Sequence, residues 1–146
     1  MKKQLRIMLQ TALLLVLPLI AVPYLSAQIL GHVEADITHP FIIANTTLPA
    51  GHYSFRMLQD SELTVMTATN DKTDAKIEFL VNEARSDHRP NHSELIFDRY
   101  DNQEFLKKIF ESGNRVGVAV VEPSRIEKRL QQQGKHPVEH TEEQAK

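Results

Sequence analysis

Between residues 32 and 121, apolar and polar side chains change places at every second position, in short runs parted by turn-forming residues. A period of two is the spacing of a strand with one face buried and one face wet; a helix would need a period near 3.6. Residues 32–38 show it plainly, with Val33, Ala35 and Ile37 on one side and Glu34 and Asp36 on the other. Pro40 ends that run, and Phe41-Ile42-Ile43-Ala44 is a short apolar stretch. Residues 45–51 contain Pro49 and Gly51 and read as a connection. Tyr53, Phe55 and Met57 then alternate with Ser54 and Arg56; Gln59-Asp60-Ser61 is a turn, and residues 63–69 alternate again. Asn70-Asp71 suits a tight hairpin turn, because both residues tolerate positive φ.

The pattern continues with Ile77, Phe79 and Val81 on one face of residues 75–84, followed by a polar loop over residues 85–91. Leu95 and Phe97 lie opposite Ile96 in residues 94–100, and Asp101-Asn102 is a second hairpin turn. Residues 104–111 are ambiguous. Phe105, Leu106, Ile109 and Phe110 fit a helical face, but also a strand covered on both sides. The flanking turns are spaced for a hairpin, which favours the strand. Residues 115–121 form the last strand of the series. About eight short antiparallel strands predict an all-β domain, a small barrel or sandwich, because sequential hairpins bury their apolar faces best that way. The inward candidates Phe41, Tyr53, Phe55, Phe79 and Phe97 are large, which favours a filled core over a ligand cavity.

Pro123 closes the β region. Ser124-Arg125-Ile126-Glu127 has the spacing of a capping box and predicts a short helix over residues 125–133, stopped by Gly134. Ile126 and Leu130 are its apolar pair. Residues 135–146 are polar without apolar periodicity and are expected to be disordered.

The N-terminus has the three parts of a secretory signal. Lys2, Lys3 and Arg6 supply the positive start, residues 12–22 an apolar core, and Leu25-Ser26-Ala27 a small-residue ending. The apolar run is short for a membrane span, which needs about 20 residues, and Pro18 and Pro23 interrupt it. The division is therefore a signal over residues 1–27, a β domain over 28–122, a helix over 123–134 and a tail over 135–146. The expected location is exported, periplasmic or extracellular, in a bacterial cell envelope, with no membrane contact after cleavage. The chain holds no cysteine, which excludes a disulfide framework, a thiol nucleophile and a lipidated N-terminal cysteine. Its net charge is −2, and −5 once the leader's three cations are removed. An acidic chain without a basic stripe is a poor partner for nucleic acid.

The segment Asn45-Thr46-Thr47-Leu48-Pro49-Ala50-Gly51-His52-Tyr53-Ser54-Phe55 carries a resemblance, as does Ser93-Glu94-Leu95-Ile96-Phe97-Asp98-Arg99-Tyr100 followed by Glu104-Phe105-Leu106. Together they resemble a family of small exported bacterial β-rich proteins with an LPAG-x-Y turn before a strand, over most of residues 37–129. That family has no assigned activity, so the resemblance implies export and a strand at residues 104–111, and transfers no site residue. The turn has its own physical reading: Pro49 fixes φ, Gly51 permits a close approach, and Tyr53 re-enters the core with a hydroxyl seeking a backbone partner.

No catalytic, cofactor-binding or metal-ligating set stands out. His88 and His92, with Asp87, are the nearest histidine pair, but Pro90 between them argues against a shared helical face. His136 and His140 fall in the tail and read as solvated. His32, His39 and His52 precede or begin strands and could meet only if the strand order allows it. The carboxylate pairs Asp98 with Asp101 and Glu104 with Glu111 are what alternating surface strands produce freely. Ser61, Ser93 and Ser124 read as turn, strand and cap, and no Gly-x-Ser-x-Gly occurs. Lys107-Lys108 and Lys128-Arg129 read as solvated. The expected function is a non-enzymatic exported envelope protein acting as a binding module for a protein partner or small ligand. The alternatives are a self-assembling envelope component and a small hydrolase. N-terminal sequencing of the exported protein should begin at Gln28; an N-terminus at Met1 would mean that the leader is retained as an anchor.

Overall fold

The computed structural model describes residues 31–58 and 64–144; the leader expected over residues 1–27 and the turn expected at residues 59–61 lie outside the described residues. Ten strands and one helix follow in order: β1 His32–Ile37, β2 Phe41–Ile43, β3 Thr46–Leu48, β4 Gly51–Met57, β5 Val65–Asn70, β6 Lys76–Arg85, β7 Glu94–Tyr100, β8 Gln103–Phe110, β9 Val116–Val120, α1 Arg125–Gln132 and β10 Val138–Glu143. The all-β reading holds, and the architecture is an open, sandwich-like fold rather than a closed barrel.

One half of the sandwich has the order β1-β4-β5-β6, a β4-β5-β6 meander with β1 added at its edge. The long strand β6 carries the chain into the other half. Its residues 76–80 pair with β5, and its residues 81–85 pair with β9. There β8 is the hub. It pairs along its whole length with β7, and its other edge is shared by β2 at Phe41 and Ile42 and by β9 at Ala119 and Val118. The β2–β8 pair is parallel, a departure from the all-antiparallel expectation. β2 is reached not by a hairpin from β8 but from the far end of the chain, so its direction is free of hairpin geometry.

The ambiguity at residues 104–111 resolves as a strand with a bulge. Ile96 pairs with Lys108 but Phe97 pairs with Leu106, so Lys107 is an extra residue on β8. An extra residue reverses which face the following side chains take. Leu106 and Ile109, which would otherwise point to opposite faces, both join the main core, beside Phe97 and Leu95. The helix-like spacing in the sequence is the signature of that bulge.

The main core fills the space between the halves, with Phe41, Tyr53, Phe55, Met66 and Phe97 all at 0 % exposure. Phe41 lies edge-on to Tyr53 and to Phe97, at centroid distances of 5.1 and 5.9 Å. The Tyr53 hydroxyl donates to the Pro49 carbonyl at 2.7 Å, the backbone partner its turn called for. A smaller cluster of Ile42, Tyr100 and Phe105 lies apart from it and receives Leu130 of α1. Ser124 Oγ accepts the Glu127 amide at 3.0 Å and caps that helix. Glu127 is itself buried against Lys107, at 3.3 Å. Gly134, at φ 78°, follows the helix end.

Two further expectations change. Residues 46–48, read as part of a connection, form β3, hydrogen-bonded to β2 across the turn at Ala44 and Asn45. Residues 135–146, expected to be a disordered tail, contain β10, which pairs antiparallel with β7 over residues 138–143. The strand was hidden because neither of its faces is apolar.

β10 brings the last strand of one half up to β1, the first strand of the other. No backbone ladder joins them. Side chains bridge the seam instead: the Asp36 amide donates to Gln144 Oε1 at 2.7 Å, and the Thr38 hydroxyl to Glu142 Oε1 at 3.2 Å.

Gly117 on β9 passes so close to β8 that a Cβ would run into the Ile109 carbonyl oxygen and the Phe110 ring. Gly117→Ala should therefore destabilise the fold by about 3 kcal/mol, the scale of overpacking a tight site, read as a lower urea midpoint with an unchanged slope. A midpoint within experimental error of the wild type would mean that β9 can move away from β8.

Candidate metal centre at the seam

In an antiparallel ladder, paired residues point to the same face. His140 pairs with Phe97 and Glu142 with Leu95, both core residues. β10 thus turns His140 and Glu142 toward the interior, at positions where a sandwich strand ordinarily carries apolar side chains. Glu104, on β8, pairs with Arg99 of β7 and shares a face with Leu106. His39 arrives from the loop between β1 and β2, held in place by Pro40 behind it and by an edge-on contact with Phe97 at 5.2 Å.

These four side chains meet. His39 Nδ1 faces Glu142 Oε1 at 3.1 Å, and His140 Nδ1 stands 3.3 Å from Glu104 Oε1. The two imidazoles lie 5.5 Å apart, centroid to centroid. The Glu104 side chain is only 8 % exposed, and Glu142 14 %. The Arg99 guanidinium lies 3.5 Å from Glu104 on its outer side. Four buried polar atoms here lack a hydrogen-bond partner: His39 Nε2, His140 Nδ1, Glu104 Oε2 and Glu142 Oε2. Unpartnered buried polar atoms are rare in folded proteins, and each calls for an explanation.

A metal ion supplies one. The ligand atoms of His39, Glu104 and His140 all fall within 4.8 Å of one another. Around a tetrahedral zinc ion with bonds of about 2.0–2.1 Å, ligand atoms stand roughly 3.3 Å apart, so modest side-chain rotations close the set. Two imidazole nitrogens and one carboxylate oxygen suit zinc and its neighbours in the first transition row; calcium and magnesium take oxygen donors. Glu142 completes the arrangement. A carboxylate on Nδ1 of His39 fixes the tautomer that leaves Nε2 free to ligate, and raises its basicity.

The other histidines go elsewhere. His88, itself exposed, meets the buried Glu94 carboxylate at 3.0 Å through Nε2, and the Asp87 carbonyl accepts from Arg115, so residues 87, 88 and 92 form no common site. His32 bonds Ser54 at 2.9 Å. His52 lies between Asp36, at 2.8 Å, and Asp71, at 3.5 Å. His32, His39 and His52 thus each have separate partners. His136 is exposed, whereas His140 is half-buried in the cluster and not solvated as its place in the tail suggested. Glu104 and Glu111 sit at opposite ends of β8, and Asp98 and Asp101 are drawn to Lys107 and Lys135. Burial raises the Asp98 carboxyl above its usual range. Ser93 accepts the Ser112 amide, and Ser124 caps α1.

No local pattern announces this site, because His39, Glu104 and His140 are far apart along the chain and their spacing matches no ligand motif. The one available signal was negative: a histidine and a glutamate two apart, His140 and Glu142, in a segment whose alternation is polar on both faces.

The His52 imidazole is held above its ordinary pKa of 6.5, first by its hydrogen bond to Asp36 and then by the charges of Asp36 and Asp71. A raised folded pKa adds stability below the unfolded value and loses it as pH rises through the folded one. An NMR titration should place the His52 midpoint above 6.5, and Asp36→Asn should bring it back down. An unchanged midpoint in Asp36→Asn would remove Asp36 as the cause. No family model, curated protein or solved structure matches the chain.

Proposed function

We propose that the protein is an exported, non-enzymatic binding module whose ligand is a divalent transition-metal ion, held by His39 Nε2, His140 Nδ1 and a Glu104 carboxylate oxygen. The observation that carries the reading is the set of unpartnered buried nitrogen and oxygen atoms converging on the core side of the seam. Burying such groups unpaired costs roughly 1–3 kcal/mol each on the mutational scale. A bound ion turns that cost into coordination energy.

The binding reading rests on the donor set itself, two imidazoles and a carboxylate brought together at the seam. Among the described residues, the cavities of about 240 Å³ beside Ala44, Phe79, Leu80 and Val121 and of about 220 Å³ beside Arg85, His88, Lys108 and Glu139 lie apart from it. Three protein ligands leave one position for water or an exchangeable group, a coordination also used by catalytic zinc. Export rests on the leader at residues 1–27, and places the module where metal reaches it from outside the cell.

Titration of the purified protein with Zn²⁺, followed by native mass spectrometry, should show one ion per chain. His140→Ala should weaken binding more than a hundredfold. Glu142→Gln, which disturbs only the support of His39, should weaken it about 10–100-fold. Wild-type protein that holds no zinc, or a His140→Ala variant with undiminished affinity, would overturn the assignment.

A further inference from the structure

Strand β10 is held differently from the strands around it. Its one apolar side chain, Val138, is 62 % exposed, and no residue of the strand is buried. On the other side of the seam, β1 is anchored by Val33, Ala35 and Ile37, all at 2 % exposure or less. A strand docked by backbone bonds on a solvated edge, with no apolar anchor, belongs to the least stable part of a fold. The residues leading into it, 133–137, are exposed throughout.

The side chains of β10 that do leave solvent are His140 and Glu142, and both belong to the metal set. Glu104 sits on β8 at the hub of the sheet, and His39 is packed against Phe97. Of the elements that supply the site, β10 alone contributes no apolar side chain to the core.

Resting on the metal reading above, we infer that the ion clasps β10 onto β7, so that metal occupancy sets whether this edge of β7 is covered. The linkage is direct. His140 reaches the ion only when β10 is docked, so metal stabilises the docked state by the factor 1 + [M]/Kd. When β10 leaves, the N–H and C=O groups of β7 that pair with it, from Glu94 to Arg99, lose their partners. An unpaired strand edge is the template onto which an extended segment of another chain adds. The edge of β7 is therefore uncovered when metal is scarce and covered when metal is abundant.

Hydrogen exchange of the full chain, followed by mass spectrometry, tests this with zinc at a hundred times its Kd against a sample in EDTA. Native mass spectra of the same samples report the bound ion. Peptides spanning residues 94–100 and 138–143 should exchange about a hundredfold more slowly with zinc, while the β4–β5 ladder stays unchanged. His140→Ala should exchange at the fast rate in both conditions with its β4–β5 ladder intact. If that ladder loses protection, the variant has unfolded, and Glu104→Gln takes its place. Zinc present in the native spectrum with no change in the β7–β10 ladder would overturn the clasp and leave the metal site standing. No bound zinc would overturn both.

Discussion

The extra residue at Lys107 decides how the second half of the sandwich is built. Without it, β8 would keep strict alternation, and Leu106 and Ile109 would face opposite ways. With it, both enter the core opposite Phe97 and Leu95, while Phe105 turns outward to meet Tyr100, Ile42 and Leu130. One bulge thus serves two apolar clusters from one strand, and the helix docks on the second. Glu104, before the shift, lies on the core side of β8 with Leu106, beside the position that His140 reaches from β10. Lys107 itself, left at the bulge, lies 3.3 Å from buried Glu127 and 3.8 Å from Asp98, so the residue that breaks the ladder also neutralises the acid under the helix.

Much of this was legible in the chain. Val33, Ala35 and Ile37, and then Tyr53 and Phe55, announce their strands by alternation, and the turn at Asp101-Asn102 and the cap at Ser124 fall where short-range chemistry puts them. What could not be read follows from long-range pairing. The parallel contact of β2 with β8 joins residues far apart in sequence, and nothing local specifies it. β10 escaped notice because alternation reveals a strand only when one face is apolar, and here the inward face carries His140 and Glu142. The site was invisible for the same reason: its members are brought together by strand order, which hydrophobic pattern does not encode.

The seam cluster is a place where the fold gives up stability. Replacing His140 and Glu142 by apolar residues of similar size would remove unpartnered polar atoms beside Phe97 and extend the core to the edge of the sheet. Natural chains commonly carry such locally unfavourable groups at functional positions. The aromatic core shows the opposite, with side chains fully enclosed and Tyr53 bonded within its own turn. Among the described residues one further unpartnered buried atom, His92 Nδ1, lies outside the seam; four such atoms in one place are what single the seam out.

The position of β10 at the end of the chain has a kinetic side. Synthesis runs from the N-terminus, and β7 with its hairpin partner β8 is complete well before residues 138–143 exist. Until they arrive, the outer edge of β7 is bare, and a nascent or newly delivered molecule offers it to every neighbour at the same stage. β7 carries Asp98 and Arg99 near one end of that edge, and charges on a strand edge are a common guard against unwanted pairing. Their placement makes crowding during biogenesis, more than the finished fold, the condition that this part of the sequence has to withstand.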